Sequence, residues 1–172
     1  HGAGSTNVLP VLRSEGFAVT SVPEQIEPDE EFPTAAGDLI NPEYVEVMEL
    51  PVRLAEGKGA DLAICSDPDA DRLGLAVKVS LDSPGVRLLT GNQVGAALTH
   101  YLLSRRREQG RLSEDDLVLT TAVTTSLISD IAENFGLTPR DDLLVGFKFI
   151  AEIIEGLDNT SRFVFAAEES LG

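Results

Sequence analysis

Short apolar runs alternate with segments of helical periodicity along most of this sequence, and this alternation limits the possible fold more than any other feature. The apolar runs predict strands at 17–22, 61–65, 73–80, 117–120, 143–145 and 162–166. Apolar residues at helical spacing predict helices at 8–15, 43–57, 91–107, 124–135 and 147–154. Strands separated by helices form βαβ units. We therefore expect an α/β fold of two layered domains, whose mostly parallel, mixed sheets are flanked by helices.

Glycine and proline mark where these elements stop. Gly16 should end the first helix, and Pro51 should kink or end the second. The stretch 24–41 is rich in Pro, Glu and Asp and predicts a loop. A turn at 81–85 separates one α/β unit from the next, which predicts two domains, 1–85 and 86–172.

The charge of the chain excludes several kinds of partner. Its 13 Lys and Arg against 29 Asp and Glu give a net charge of −16, which argues against binding to nucleic acid or to anionic membranes. No apolar run approaches the roughly 18 residues of a membrane span. Cys65 is the single cysteine and cannot form an internal disulfide, so we expect a cytoplasmic protein. The chain opens at His1 without an initiator Met or a leader and closes just after a strand-like run, as expected for a piece of a longer protein.

The strongest chemical signal is the aspartate loop, residues 67–72, which directly follows an apolar strand. Asp67, Asp69 and Asp71 repel one another unless a cation lies between them. A hard divalent ion such as Mg²⁺ prefers carboxylate oxygens, and ligands collect at the carboxyl ends of strands in parallel sheets. Arg72 beside such an ion would favour a phosphate ligand. A solvated acidic turn is the simpler alternative.

Two known Asp-rich sites fit this loop less well. A calcium-binding EF-hand needs Gly at its sixth position and Glu at its twelfth, where this chain has Arg72 and Lys78. A haloacid-dehalogenase-like phosphatase also carries Asp-x-Asp after a strand, with the first Asp as nucleophile. The sequence around Asp67 lacks the apolar lead-in and the Thr/Gly follow-on expected there.

Two weaker signals lie in the second half of the chain. Glu168, Glu169 and Ser170, here called the glutamate loop, follow a predicted strand and could hydrogen-bond sugar hydroxyls. Lys148 stands at a helix start and could contact a phosphate or a substrate hydroxyl. An exposed acidic turn and an ordinary surface lysine are the alternatives.

With these motifs in order, the chain resembles the α-D-phosphohexomutase superfamily, the phosphoglucomutases and phosphomannomutases. The motifs that carry the resemblance are His1-Gly2-Ala3-Gly4, Asp67-Pro68-Asp69-Ala70-Asp71-Arg72, Thr90-Gly91-Asn92-Gln93, Gly146-Phe147-Lys148 and Glu168-Glu169-Ser170-Leu171-Gly172. One departure is Ala167, where many members have Gly. The resemblance covers the second and most of the third of the family's four domains.

The resemblance also implies roles for single residues. Asp67, Asp69 and Asp71 would bind Mg²⁺, and Arg72 would reach the phosphate of a phosphoserine or of the substrate. Glu168 and Ser170 would hold sugar hydroxyls, with Lys148 near the substrate. The Glu-Glu-Ser form resembles phosphoglucomutases and phosphopentomutases more than mannose- or glucosamine-phosphate enzymes.

For the whole protein, the resemblance implies phosphoryl transfer between the 1- and 6-positions of a hexose phosphate, most simply glucose, through a phosphoserine and a bisphosphate. The resemblance also implies missing partners: the first domain, with its Ser-His-Asn-Pro loop, and the phosphate-binding fourth domain. Because the phosphoserine would lie in that first domain, we expect no catalytic residue in this chain. We expect the chain alone to be inactive. The alternatives are another Mg²⁺-dependent phosphoryl-transfer enzyme or a non-catalytic sugar-phosphate-binding module.

Overall fold

A computed structural model describes residues 2–35, 40–80 and 83–170 of the chain. Two compact units are present, His1–Thr90 and Gly91–Gly172, here called the N-terminal and C-terminal units. The division lies a few residues beyond the turn at 81–85, because the strand that starts there belongs to the N-terminal unit. Both units combine helices with a small sheet, which confirms the α/β class.

The N-terminal unit places one long helix on a three-stranded sheet. Its elements are α1 (Val8–Ser14), α2 (Val45–Lys58), β1 (Leu62–Ser66), β2 (Leu73–Ser80) and β3 (Ser83–Leu89), with single 3-10 turns at Ala3–Ser5 and Pro23–Gln25. Met48 of α2 packs against Ala63 of β1 and Ala76 of β2 in a buried cluster. Gly59 ends α2 in the left-handed conformation that a glycine adopts without strain.

The strand directions in this unit correct the prediction of a mostly parallel sheet. The described strands lie in the order β1-β2-β3, and both pairs are antiparallel. Only residues 67–72 separate β1 from β2, which is too short for a parallel crossover and sufficient for a hairpin. The aspartate loop is therefore the connection of a β-hairpin.

Of three further predictions in this unit, those for residues 17–22 and 81–85 were wrong. Residues 17–22 form no strand, and they line an apolar cleft of about 770 Å³ together with β1. Helix α2, predicted at 43–57, runs from Val45 to Lys58 and continues through the buried Pro51, so of the two effects expected at this proline the helix end does not occur. Part of the turn expected at 81–85 is strand β3, although residues 81 and 82 lie outside the described part of the chain.

The C-terminal unit has helices on both faces of a parallel sheet. Its elements are α3 (Gly91–Glu108), β4 (Leu117–Thr121), α4 (Leu127–Asn134), β5 (Arg140–Leu143), α5 (Phe147–Glu155) and β6 (Phe163–Ala167), with a 3-10 turn at Thr160–Arg162. The described strands lie in the order β5-β4-β6, with both neighbours parallel to β4. Here the predicted parallel pairing is confirmed, and so are the predicted elements except one: β5 lies at Arg140–Leu143, whereas the sequence predicted a strand at 143–145.

The central strand β4 explains why this unit is layered. Successive side chains of a strand point to opposite faces, so Val118 and Leu119 enter two different cores. Val118 packs with α3 and α4 residues, whereas Leu119 packs with Ile150 of α5, and all three side chains are fully buried. Beyond the sheet, Arg106 of α3 forms a two-pronged ion pair with the buried Asp116, at 3.0 Å for each contact.

Across both units, none of the helices within residues 2–35, 40–80 and 83–170 has the length and apolar character that crossing a membrane requires.

Candidate functional site

The three carboxylates of the aspartate loop come together in the structure. One oxygen each from Asp67, Asp69 and Asp71 lies within 4.8 Å of the other two. The hairpin makes this possible because Ala70 takes a positive φ of 62° and its amide donates to the Asp67 carbonyl at 3.1 Å. This tight reversal brings alternate side chains to one side of the loop.

The loop holds its members in different environments. Asp67 is buried with 8% exposure, and its carboxylate accepts a hydrogen bond from the Arg72 amide at 3.0 Å. Asp69 and Asp71 are exposed. The Arg72 guanidinium lies 3.7 Å from Asp67 and 4.0 Å from Asp71, with 43% of its side chain exposed. Asp67 is thus a fixed anchor, and the remaining groups can adjust to a ligand.

The N-terminal glycines support this loop, a role that sequence analysis missed. The Ala3 amide donates to the Pro68 carbonyl at 2.8 Å. A Cβ at Gly2 would lie 2.3 Å from that carbonyl oxygen, and one at Gly4 would lie 2.3 Å from the Ser66 hydroxyl. Because only glycine allows such close contact, the Gly-x-Gly spacing was the available signal. His1, the first residue of the opening motif, lies outside the described residues.

The aspartate loop fits a small divalent cation. Magnesium–oxygen bonds of about 2.0–2.1 Å place two ligands of one ion no more than about 4.2 Å apart, close to the spacing seen here. Exposed Asp69 and Asp71 can close the difference by side-chain rotation. Hard carboxylate oxygens are the donors that Mg²⁺ prefers.

The C-terminal unit gathers a second set of polar groups at one edge of its sheet. Strands β4, β5 and β6 are parallel, so the residues that follow them lie at the same edge. Glu168 follows β6, and its carboxylate accepts a hydrogen bond from the amide of Gly146, the residue before α5. Gly146 has φ 122°, which a side chain would strain. The glutamate loop and the Gly146-Phe147-Lys148 motif, which the sequence showed as two separate signals, are therefore in direct contact.

Lys148 and Ser170 lie beside this contact. Lys148 is the second residue of α5 and is exposed, with its ammonium 4.8 Å from the centre of the Phe149 ring. Ser170 is half-buried. Leu171 and Gly172, the end of the fifth motif, lie outside the described residues. The roles of Lys148, Glu168 and Ser170 toward a substrate stay predictions.

The structure adds two threonines that sequence analysis missed. The Thr121 and Thr124 hydroxyls lie 2.7 Å apart, and both approach the same carboxylate oxygen of Glu169, at 3.4 and 3.2 Å. Thr121 ends the buried strand β4 and Thr124 lies three residues further on, just as the aspartates lie at the end of β1. The same strand-end rule could have identified them.

The departure at Ala167 is accommodated within the same unit. Ala167 is buried, and its Cβ would lie 3.4 Å from a Cβ placed on Gly95 of α3. The helix carries no side chain there, so the alanine methyl group has room. The buried Thr120 hydroxyl also donates to the Ala167 carbonyl at 3.0 Å, which holds the strand end in place.

Comparison with known proteins assigns both units to one family. Residues 1–80 match the family model for phosphoglucomutase/phosphomannomutase, alpha/beta/alpha domain II, and residues 90–172 match the model for domain III. The chain belongs to the phosphoglucomutase/phosphomannomutase family. It covers domains II and III of that phosphohexomutase architecture.

Individual relatives agree with this assignment. The chain is 35% identical over 174 aligned positions to phosphoglucomutases of Staphylococcus aureus strains MRSA252 and USA300. The alignment includes all of this chain and 30% of each relative, so the chain spans about a third of their length.

Two solved structures share the fold. A phosphoglucomutase/phosphomannomutase family protein from Burkholderia thailandensis superposes with a TM-score of 0.74 at 15% identity, over 98% of this chain and 32% of that one. A protein from Thermus thermophilus gives 0.69 at 23% identity, over 99% and 34%. At these identities the likeness shows the fold alone.

Proposed function

We propose that this chain is the central part of a phosphohexomutase, an enzyme that moves a phosphoryl group between the 1- and 6-positions of a hexose phosphate through a phosphoserine and a bisphosphate. The observation that carries the proposal is the aspartate loop, whose three carboxylate oxygens converge within 4.8 Å in a chain of this family. Glucose phosphate is the proposed substrate, because the relatives at 35% identity are phosphoglucomutases.

Mg²⁺ is the proposed metal, and Asp67, Asp69 and Asp71 would hold it. When bound, the ion would neutralise negative charge on a transferring phosphoryl group. Arg72 lies on the same loop, within 4.0 Å of two of these carboxylates. Its partly exposed guanidinium can turn toward a phosphate and bind it through two parallel hydrogen bonds.

The C-terminal unit would supply sugar recognition. A carboxylate accepts hydrogen bonds and a serine hydroxyl can both donate and accept, so Glu168 and Ser170 suit adjacent sugar hydroxyls. The Gly146 amide restrains one oxygen of Glu168, which reduces the freedom lost when a sugar binds. Lys148, near the start of α5, would contact the substrate phosphate or a hydroxyl.

The chain spans about 30% of its relatives' length, so the activity is proposed for a longer protein that supplies the phosphoserine and the remaining phosphate contacts. We propose that the chain alone binds metal without turnover. The haloacid-dehalogenase-like alternative has no support from the family match. We also propose a reducing, cytoplasmic compartment, since the chain has one cysteine.

The deciding experiment is a mutase assay of the longer protein with glucose 1-phosphate, Mg²⁺ and a trace of glucose 1,6-bisphosphate, with the 172-residue chain assayed beside it. We expect turnover by the longer protein alone, and loss of turnover when Mg²⁺ is chelated. Mannose and ribose phosphates serve as competing substrates. Sugar-phosphate binding without turnover of any of the three would contradict the mutase proposal and favour a binding module.

A further inference from the structure

The glutamate loop contains one carboxylate, Glu169, for which the proposed function has no use. It is half-buried, and it faces two threonine hydroxyls at the end of β4 rather than the amide that holds Glu168. The two neighbouring glutamates thus form hydrogen bonds with different parts of the sheet edge. Glu168 contacts the start of α5, and Glu169 contacts the β4–α4 turn.

Proton counting limits how the two threonine hydroxyls and the Glu169 carboxylate can be connected. Two hydroxyl protons serve three close contacts, and a carboxylate only accepts. The shortest arrangement that gives each proton one acceptor runs from Thr121 to Thr124 at 2.7 Å and from Thr124 to Glu169 at 3.2 Å. The 3.4 Å contact between Thr121 and Glu169 is then secondary.

This cluster rests on a rigid base. Thr121 is the last residue of β4 with 1% exposure, and the Thr124 amide donates to its carbonyl at 3.1 Å. The side chain of Asn92, near the start of α3, accepts from the Thr125 amide at 2.9 Å, which fixes the following residue of the turn. A carboxylate that is hydrogen-bonded to Thr124 is therefore held in place relative to both the sheet and α3.

We propose that Glu169 is a positioning residue: its hydrogen bond from Thr124 fixes the glutamate loop so that Glu168 keeps its contact with the Gly146 amide and presents its free oxygen to the sugar. The consequence for sugar binding rests on the proposed function, whereas the positioning of Glu168 does not. Thr124 is the main connection, and Thr121 orients Thr124.

The positioning is tested by amide hydrogen exchange at Gly146 in the 172-residue protein, measured against the amide of Leu119 in the core strand. For Glu169→Ala we expect Gly146 to exchange about tenfold faster relative to Leu119, the size expected for a lost hydrogen bond to a charged group. Glu169→Gln keeps an acceptor for Thr124 and should restore most of the protection.

Two threonine variants and one control complete the set. Thr124→Val should match Glu169→Ala, Thr121→Val should have the smaller effect, and the double variant of Thr124 and Glu169 should be no worse than either single one. Glu152→Gln changes an exposed glutamate of α5 and should leave exchange unchanged. If Glu169→Ala does not fold, Thr124→Val carries the same test. Unchanged exchange at Gly146 in folded Glu169→Ala or Thr124→Val protein would overturn the proposal, as would the same increase in the control.

Kinetics of the longer protein add the functional readout. Glu169→Ala should raise the KM for the sugar phosphate about tenfold with a smaller change in kcat, because the lost contact orients a binding group. A drop in kcat at unchanged KM would contradict this role. If the unmodified longer protein turns over no hexose phosphate, the proposed function fails, while the exchange result still decides whether Glu169 positions Glu168.

Discussion

The two polar loops of this chain are built in opposite ways. All side chains of the aspartate loop come from residues 67–72, and one hairpin brings them together. The glutamate loop follows β6 and is held by groups at two other strand ends, Gly146 after β5 and Thr121 and Thr124 at the end of β4. A site made from one local segment can be found from sequence spacing, whereas a site made from distant segments depends on the sheet.

The two units also differ in how many faces of their sheets are covered by packed side chains. The C-terminal sheet has a buried cluster on each face, around Val118 and around Leu119. The N-terminal sheet has one described cluster, where α2 covers it. On the other face Leu62 and Ile64 are 49% and 37% exposed and border the cleft beside residues 17–22. The local site thus lies in the less tightly packed unit.

The largest expected effect tests the local loop. Asp69→Ala in the longer protein should lower turnover about 100-fold or more, because it removes a ligand of the Mg²⁺ ion that would neutralise charge on the transferring group. Folding should change little, since Asp69 is exposed. Steady-state kinetics and thermal unfolding measure the two effects. Glu46→Ala, an exposed acid on α2, is the control. Wild-type turnover in Asp69→Ala would contradict the proposal that Asp69 binds the catalytic Mg²⁺.

The next prediction tests the layered unit. Leu119→Ala should reduce the free energy of unfolding of the C-terminal unit by about 3 kcal/mol, because it leaves a cavity between β4 and α5. Urea unfolding followed by circular dichroism measures the change. Leu144→Ala, at a side chain 66% exposed, should cost far less. Similar losses from the two variants would mean that Leu119 does not lie in a closed core.

Close backbone packing in the N-terminal unit gives a smaller effect. Gly2→Ala should destabilise the contact of the first residues with the aspartate loop by about 1–3 kcal/mol, because the added Cβ meets the Pro68 carbonyl. Mg²⁺ affinity, measured by titration calorimetry, should fall with it. Gly57→Ala lies in α2 with open space around it and should instead stabilise by about 0.5–1 kcal/mol. An unchanged Mg²⁺ affinity in Gly2→Ala would show that the contact at Gly2 does not contribute to metal binding by the aspartate loop.

The smallest effect concerns Cys65 on β1. Burial, and to a smaller extent the Asp67 charge, raise the pKa of its thiol. The folded state therefore favours the protonated thiol, and this contribution to stability is lost as pH rises from the ordinary thiol pKa through the raised one. At pH 8, alkylation by iodoacetamide should be slower in the folded protein than in urea, since the thiolate is the reactive form. Equal rates would show that the cleft beside β1 leaves the thiol open to solvent.

Much of the fold followed from the sequence where the pattern was unambiguous. Strand β2 at 73–80 and helix α3 were predicted nearly to the residue, because period-2 and helical spacing are clear there. Residues 17–22 are as apolar as a strand, yet a strand also needs a neighbour to accept its hydrogen bonds, and none of the described strands pairs with them. Strand β3 was missed because Pro84 and Gly85 predict a turn.

The sequence by itself determined the α/β class, the family motifs and the grouping of Asp67, Asp69 and Asp71, since these depend on spacing within one short segment. Only the tertiary structure decided that β1 and β2 are antiparallel and that Glu168 meets Gly146 while Glu169 meets Thr124. These contacts join residues 22 and 45 positions apart, and strand order and register bring them together. Periodicity shows which face of an element is buried, but not which other element will cover it.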